Sequence, residues 1–206
     1  MLKLITREIR DHAVYIGACW FFTAVIVGIL IGTFTWDFEP GGFAFSAGVM
    51  LIMYIGFCVL GAAQMYGDRA HRLSALLTTQ AATRNRVLTA RILVGVLTVL
   101  IGLVPTYVTA TVLLRLEVQP FGFYLHMIRD VSLVLTLIGL ACYCAGLMVG
   151  WTGSRAWLIT GSVILVTLLV MVPCAKGFGL GAVLLLLVLI TAMLGRVWHT
   201  FTTASL

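Results

Sequence analysis

Four histidines, five cysteines and one arginine- and leucine-rich loop hold most of the chemistry this chain could perform beyond packing. A histidine pair inside a helical bundle could ligate haem b, which needs axial ligands at that depth. His12, His71, His126 and His199 all fall at the edges of apolar runs or between them, and no mid-run pair exists. Cys142 and Cys144 form C-x-C, which could open a thiolate metal site. No third or fourth ligand follows at metal-site spacing. Cys19, Cys58, Cys142 and Cys144 lie within apolar runs and Cys174 at a short turn, so they read as small core residues rather than a disulfide framework. No nucleophile stands beside a base, and no GxxxxGK[ST] phosphate loop is present. The chain is therefore expected to bind no metal or cofactor and to catalyse nothing itself, and any ATP-derived energy has to come from another subunit.

The elements that hold these residues follow from composition. Hydrophobic residues make up 62% of the 206 and charged residues 10%, against roughly 45–50% and about 25% in a soluble domain. That balance excludes a soluble enzyme, a disordered tail and a secreted disulfide scaffold. It points to an all-α integral membrane protein. Six runs are long enough to cross a bilayer, which takes about 17–25 residues: 13–35, 43–65, 92–114, 131–149, 156–172 and 178–194. The last two meet at the turn Pro173-Cys174-Ala175-Lys176-Gly177. Their continuous apolarity disfavours a β-barrel, whose strands alternate.

The net charge is +6. With no basic stripe on a soluble module, it indicates membrane lipids rather than nucleic acid as the partner. The arm (Lys3, Arg7, Arg10), the stretch after the second run (Arg69, Arg72, Arg84, Arg86, Arg91), Arg155 and Arg196 put ten basic residues on one side, against Arg115, Arg129 and Lys176 on the other. This asymmetry predicts both termini in the cytoplasm. Trp36, Phe38, Phe121, Phe123 and Tyr124 suit the outer interface, and Trp151, Trp157 and Trp198 the inner one. Charges run through the first eleven residues and the run that follows is long enough to span, so no cleaved signal peptide is expected. Leu2, Ile5, Ile9 and Ala13 recur at helical spacing, predicting an interfacial amphipathic helix over residues 1–12 ahead of a six-helix domain over 13–206.

The six runs, so bounded, contain no Asp, Glu, Lys, Arg or His. Ionisable groups at membrane depth mark proton relays, ion sites and voltage sensors, so those functions are disfavoured. The runs do carry close-packing spacings: Gly28 and Gly32, Gly146 and Gly150, and Ala141 and Ala145. Pro105 frees a carbonyl in the third run, and Thr106, Thr109 and Thr111 could serve freed groups nearby.

The loop 66–91 reads YGDRAHRLSALLTTQAATRNRVLTAR. Leu73, Leu76 and Leu77 share a helical face, while Asp68, Arg69 and Arg72 are polar. A short helix in the interface is expected, either lying on lipid or docking a cytoplasmic partner. Here the chain resembles the membrane subunits of ATP-binding-cassette transporters, in the type-2 exporter permease family. Those permeases begin with a basic-acidic arm similar to Thr6-Arg-Glu-Ile-Arg-Asp11. After span two they carry a coupling loop of the form Glu-Arg-x-x-Gly-Thr-x-x-x-Leu-Leu-x-x-Pro-x-x-Arg. Leu76-Leu77 match the double leucine, Arg84 lies near the basic position and Arg91 fits the final one. Arg72, Leu73 and Gln80 stand where Gly, Thr and Pro are usual, and residues 172–178 leave no room for the family's external helices between spans five and six. The likeness covers most of the chain as topology and about twenty residues as motif.

The resemblance implies an inner (cytoplasmic) bacterial membrane and a separate cytoplasmic ATP-binding subunit. It also implies a second permease copy or a paralogue. Leu73, Leu76 and Leu77 would contact the ATPase, with Arg69 and Arg72 fixing orientation beside Asp68. The alternative is a non-catalytic structural subunit of a larger membrane complex. The departures from the loop motif favour that alternative.

Overall fold

The computed structural model describes residues 2–35, 41–71, 84–117, 121–150, 161, 164, 167–171 and 177–203. These are helical apart from short turns, and no strand occurs among them. Helix α1 is Leu2–Asp11, α2 Ala13–Thr35, α3 Gly41–His71, α4 Arg84–Glu117, α5 Phe121–Gly150 and α6 Leu180–Thr203. Five of them, α2 to α6, contain a stretch long and apolar enough to cross a membrane, the make-up of a multi-pass membrane protein. Of the expected run 156–172, residues 161, 164 and 167–171 are helical, and the others lie outside the described residues.

Leu2–Asp11 forms its own helix and packs chiefly on α4. His12 interrupts the chain, and its carbonyl accepts the Ile16 N–H that opens α2. Helix α6 begins beyond Gly177, whose φ of 72° is a left-handed turn that glycine adopts without strain. The Gly179 carbonyl then accepts the N–H groups of Ala182 and Val183 to start the helix.

Burial sorts the helices into a centre and a periphery. In α3 and α4, 56% of the apolar stretch is buried, and in α5 61%, against 17% in α2 and in α6. The core is built where α3, α4 and α5 meet, around Phe57, Leu60, Val99, Val134, Ile138 and Tyr143. The outer faces of α2 and α6 expose Trp20, Phe21, Leu184 and Val188. In water this would be untenable, but in a bilayer those faces meet lipid tails.

The contacts also fix helix directions. Tyr54 bonds to the Leu135 carbonyl near one end of the α3–α5 contact, and Ala62 meets Gly150 at the other, so these two helices run parallel. Gly139 faces Leu103, whereas Tyr143 faces Gly95, so α4 and α5 are antiparallel. Near the end of α6, Val197 and Phe201 share a cavity with Met65 of α3 and Leu147 of α5. Helices α3, α5 and α6 therefore finish at one end of the bundle, the end where α4 begins. That end is called the loop end below.

Several helices run beyond the stretches expected from sequence: α5 starts at Phe121 rather than at residue 131, α6 ends at Thr203 rather than at 194, and two more differences concern the loop. Helix α3 continues past Met65 to His71, and α4 starts at Arg84 rather than at residue 92. The charges of Arg84, Arg86 and Arg91 place the start of the apolar run at residue 92. Val87, Leu88, Ala90 and Val94 nevertheless bury one continuous helical face across them, and tertiary packing of that face sets where the helix starts. The stretch 66–91 is thus helical at both ends, and Arg91, expected in the loop, is buried at 5% exposure.

Candidate functional site at the loop end

The expected docking residues fall on and beyond the last turns of α3. Asp68 and Arg69 lie within that helix, and their side chains are outside the description. Arg72, Leu73, Leu76 and Leu77 lie outside the described residues. What the structure does describe is the mounting of this loop: the two helices that carry it and the side chains that join them.

That mounting centres on Tyr143 of α5, which is fully buried. Its hydroxyl lies 2.7 Å from Oε1 of Gln64 on α3 and 3.0 Å from the carbonyl oxygen of Arg91 on α4. One hydroxyl proton cannot serve two acceptors fully. As placed, Nε2 of Gln64 is buried with no hydrogen-bond partner among the described residues. Turning the amide over resolves both conflicts: Nε2 then donates to the Tyr143 oxygen, and the Tyr143 hydroxyl donates to Arg91 O. Amide orientation is assigned from such networks, and this one is preferred because it leaves no buried donor idle. Either way, one side chain joins the helix entering the loop to the helix leaving it.

Glycine makes that approach possible. The ring of Tyr143 occupies the space where a side chain at Gly95 would begin. A Cβ at Gly61 would strike the Tyr143 carbonyl, and one at Gly146 the Cys58 carbonyl. One at Gly150 would come within 2.5 Å of the Ala62 oxygen. Gly146 and Gly150 therefore sit where α5 crosses α3 backbone to backbone. Gly28 and Gly32 carry the same spacing on α2, yet nothing approaches within 4 Å of a Cβ at either.

A second polar tie lies deeper in the bundle. The Thr23 hydroxyl on α2 is 2.9 Å from the Cys19 carbonyl and 3.1 Å from the Gly102 carbonyl on α4. This is one turn before Pro105, whose missing N–H interrupts the helix ladder; α4 runs on through it. Of the threonines expected to serve this region, Thr111 bonds to the Tyr107 carbonyl. The Thr106 hydroxyl is buried without a hydrogen-bond partner among the described residues.

Cys19, Cys58, Cys142 and Cys144 are buried, and no disulfide joins any two of them. Among the described residues no three His, Cys, Asp or Glu side chains stand close enough to share a metal ion. Compared with protein-family models, curated proteins and solved structures, the chain matches none. Among the described residues, the helices on either side of residues 72–83, α3 and α4, are thus joined by a buried tyrosine of α5.

Sequence reasoning did not single out Gln64, Tyr143 or Gly95. A search for ionisable groups passes over neutral ones. The available signal was an amide at Gln64, inside an otherwise apolar run and one residue from its end.

Proposed function

We propose that this chain is the membrane-spanning permease subunit of an ATP-driven transporter, an exporter of the type-2 class, coupling a separate cytoplasmic ATPase to movement of a substrate. The observation that carries the proposal is the buried contact of Tyr143 with both α3 and α4. Gln64 lies eight residues before the stretch 72–83 and Arg91 eight residues after it, and both meet Tyr143. A loop that transmits force from a soluble partner needs stems that move together, and a shared buried contact gives them that. On this proposal Leu73, Leu76 and Leu77 seat in the ATPase, with Asp68, Arg69 and Arg72 setting its orientation.

Helix directions support six crossings with both termini on one side. Helices α5 and α6 finish at the same end of the bundle, so Gly150 and Leu180 lie at opposite ends. A sixth crossing by the run 156–172 would carry the chain between those two ends. The charge asymmetry then favours the loop end as the cytosolic one, with α1 in the interface beside α4. An inner bacterial membrane is the setting the resemblance implies.

The test is purification of the native assembly in mild detergent, with identification of every chain. An ATPase bearing a Walker loop is expected to co-purify with the wild type and to be lost from the L76D/L77D double variant, which remains folded. Native assemblies without any such ATPase would refute the proposal and favour a structural subunit of a larger complex. An ATPase retained by the double variant at unchanged turnover would refute the docking face.

A further inference from the structure

We propose that the loop end of the bundle holds a binding site for one anionic phospholipid, formed between the ends of α3, α5 and α6. A cavity of about 190 Å³ opens there. Its apolar wall is Met65 of α3, Leu147 and Met148 of α5, and Val197 and Phe201 of α6. Among the described residues two polar side chains line it, Arg196 and Thr200. The Thr200 hydroxyl already donates to the Arg196 carbonyl at 2.8 Å. The guanidinium of Arg196 is exposed and forms no salt bridge among the described residues. It is the one strong donor the cavity offers.

Position identifies the occupant. The membrane-compatible stretches of these three helices end at Tyr66, Gly150 and Phe201. The cavity therefore lies at the depth where hydrocarbon gives way to headgroups. An arginine at that depth extends toward the interface, and its planar fork matches phosphate oxygens in a bidentate fashion. Around it the thioethers of Met65 and Met148 and, about one turn nearer the end of α6, the ring of Phe201 form an adaptable apolar wall, suited to a flexible acyl chain. A cation beside such a wall is complementary to an amphiphile with a negative head. Arg86, exposed at this end of the bundle, adds to the attraction for anionic lipid. Binding here would also wedge the ends of α5 and α6 beside the Tyr143 brace. The site itself does not depend on the transporter proposal.

The experiment places the full chain in nanodiscs containing phosphatidylglycerol or phosphatidylcholine, each with a photoreactive acyl chain, and maps the labelled peptides. Phosphatidylglycerol is expected to label the segments holding Met148 and Phe201. The R196Q variant is expected to lower that labelling about tenfold, the loss corresponding to one charge-assisted hydrogen bond, and R196K to restore part of it. Arg196 is exposed on α6, so the exchange leaves folding intact, as an unchanged melting curve would verify. Phosphatidylcholine is expected to label mainly the outer faces of α2 and α6. Glycerol phosphate in excess is expected not to compete, since the wall requires a chain. Equal labelling by the two lipids, equal labelling of R196Q and wild type, or displacement by glycerol phosphate would each overturn the proposal.

Discussion

Tyr143 shows how much a single hydroxyl does in a nearly charge-free interior. It contacts α3 through Gln64 and α4 through Arg91 O, and Gly95 leaves room for its ring. Hydrogen bonds between membrane helices contribute about 0.6 kcal/mol on average and up to about 1.7 kcal/mol. Tyr143→Phe should lower unfolding stability in mixed micelles by about that amount. A double-mutant cycle with Gln64→Leu should return a coupling of similar size, because the second exchange removes the group left idle by the first. Purely additive effects would show that the two side chains do not act as a pair. The sequence made the apolar setting of both residues plain but not their meeting. They are 79 positions apart, and each alone looks like an ordinary polar residue tolerated in a membrane helix.

At the scale of elements, two glycine pairs with identical spacing have different surroundings. Gly146 and Gly150 lie against α3, whereas among the described residues nothing meets a Cβ at Gly28 or Gly32. Gly146→Ala must therefore push α5 away from the Cys58 carbonyl, and it should cost about 1–3 kcal/mol, the usual range for overpacking. Gly28→Ala should leave the stability of the isolated chain unchanged or raise it by up to about 1 kcal/mol, since alanine favours helix. Equal destabilisation by both, measured by unfolding in mixed micelles, would contradict the packing described. The spacing was legible in the sequence, but what it packs against was not, because a motif carries no information about its neighbour. Helix bounds show the converse limit. Charges mark where a chain leaves the apolar layer but not where its helix ends, which is why Arg84–Arg91 belongs to α4.

At the scale of the whole molecule, the all-helical, multi-span character was legible from composition together with the continuity of the apolar runs, which a barrel's alternating strands would not show. The cavity at Arg196 was not legible, since it exists only once the ends of three helices are brought together. The central claim is that the N-terminal arm, the loop stems and the C-terminal tail share one face of the membrane, the cytosolic one. Single cysteines test it in a background where Cys174 is replaced by serine and the buried native cysteines are kept. The sites chosen, Arg10, Arg86, Leu116 and Phe178, are all exposed. With a membrane-impermeant maleimide on intact cells, L116C and F178C should be labelled at once, and R10C and R86C only after the membrane is opened. Labelling of R86C from outside, or a split between R10C and R86C, would contradict the account.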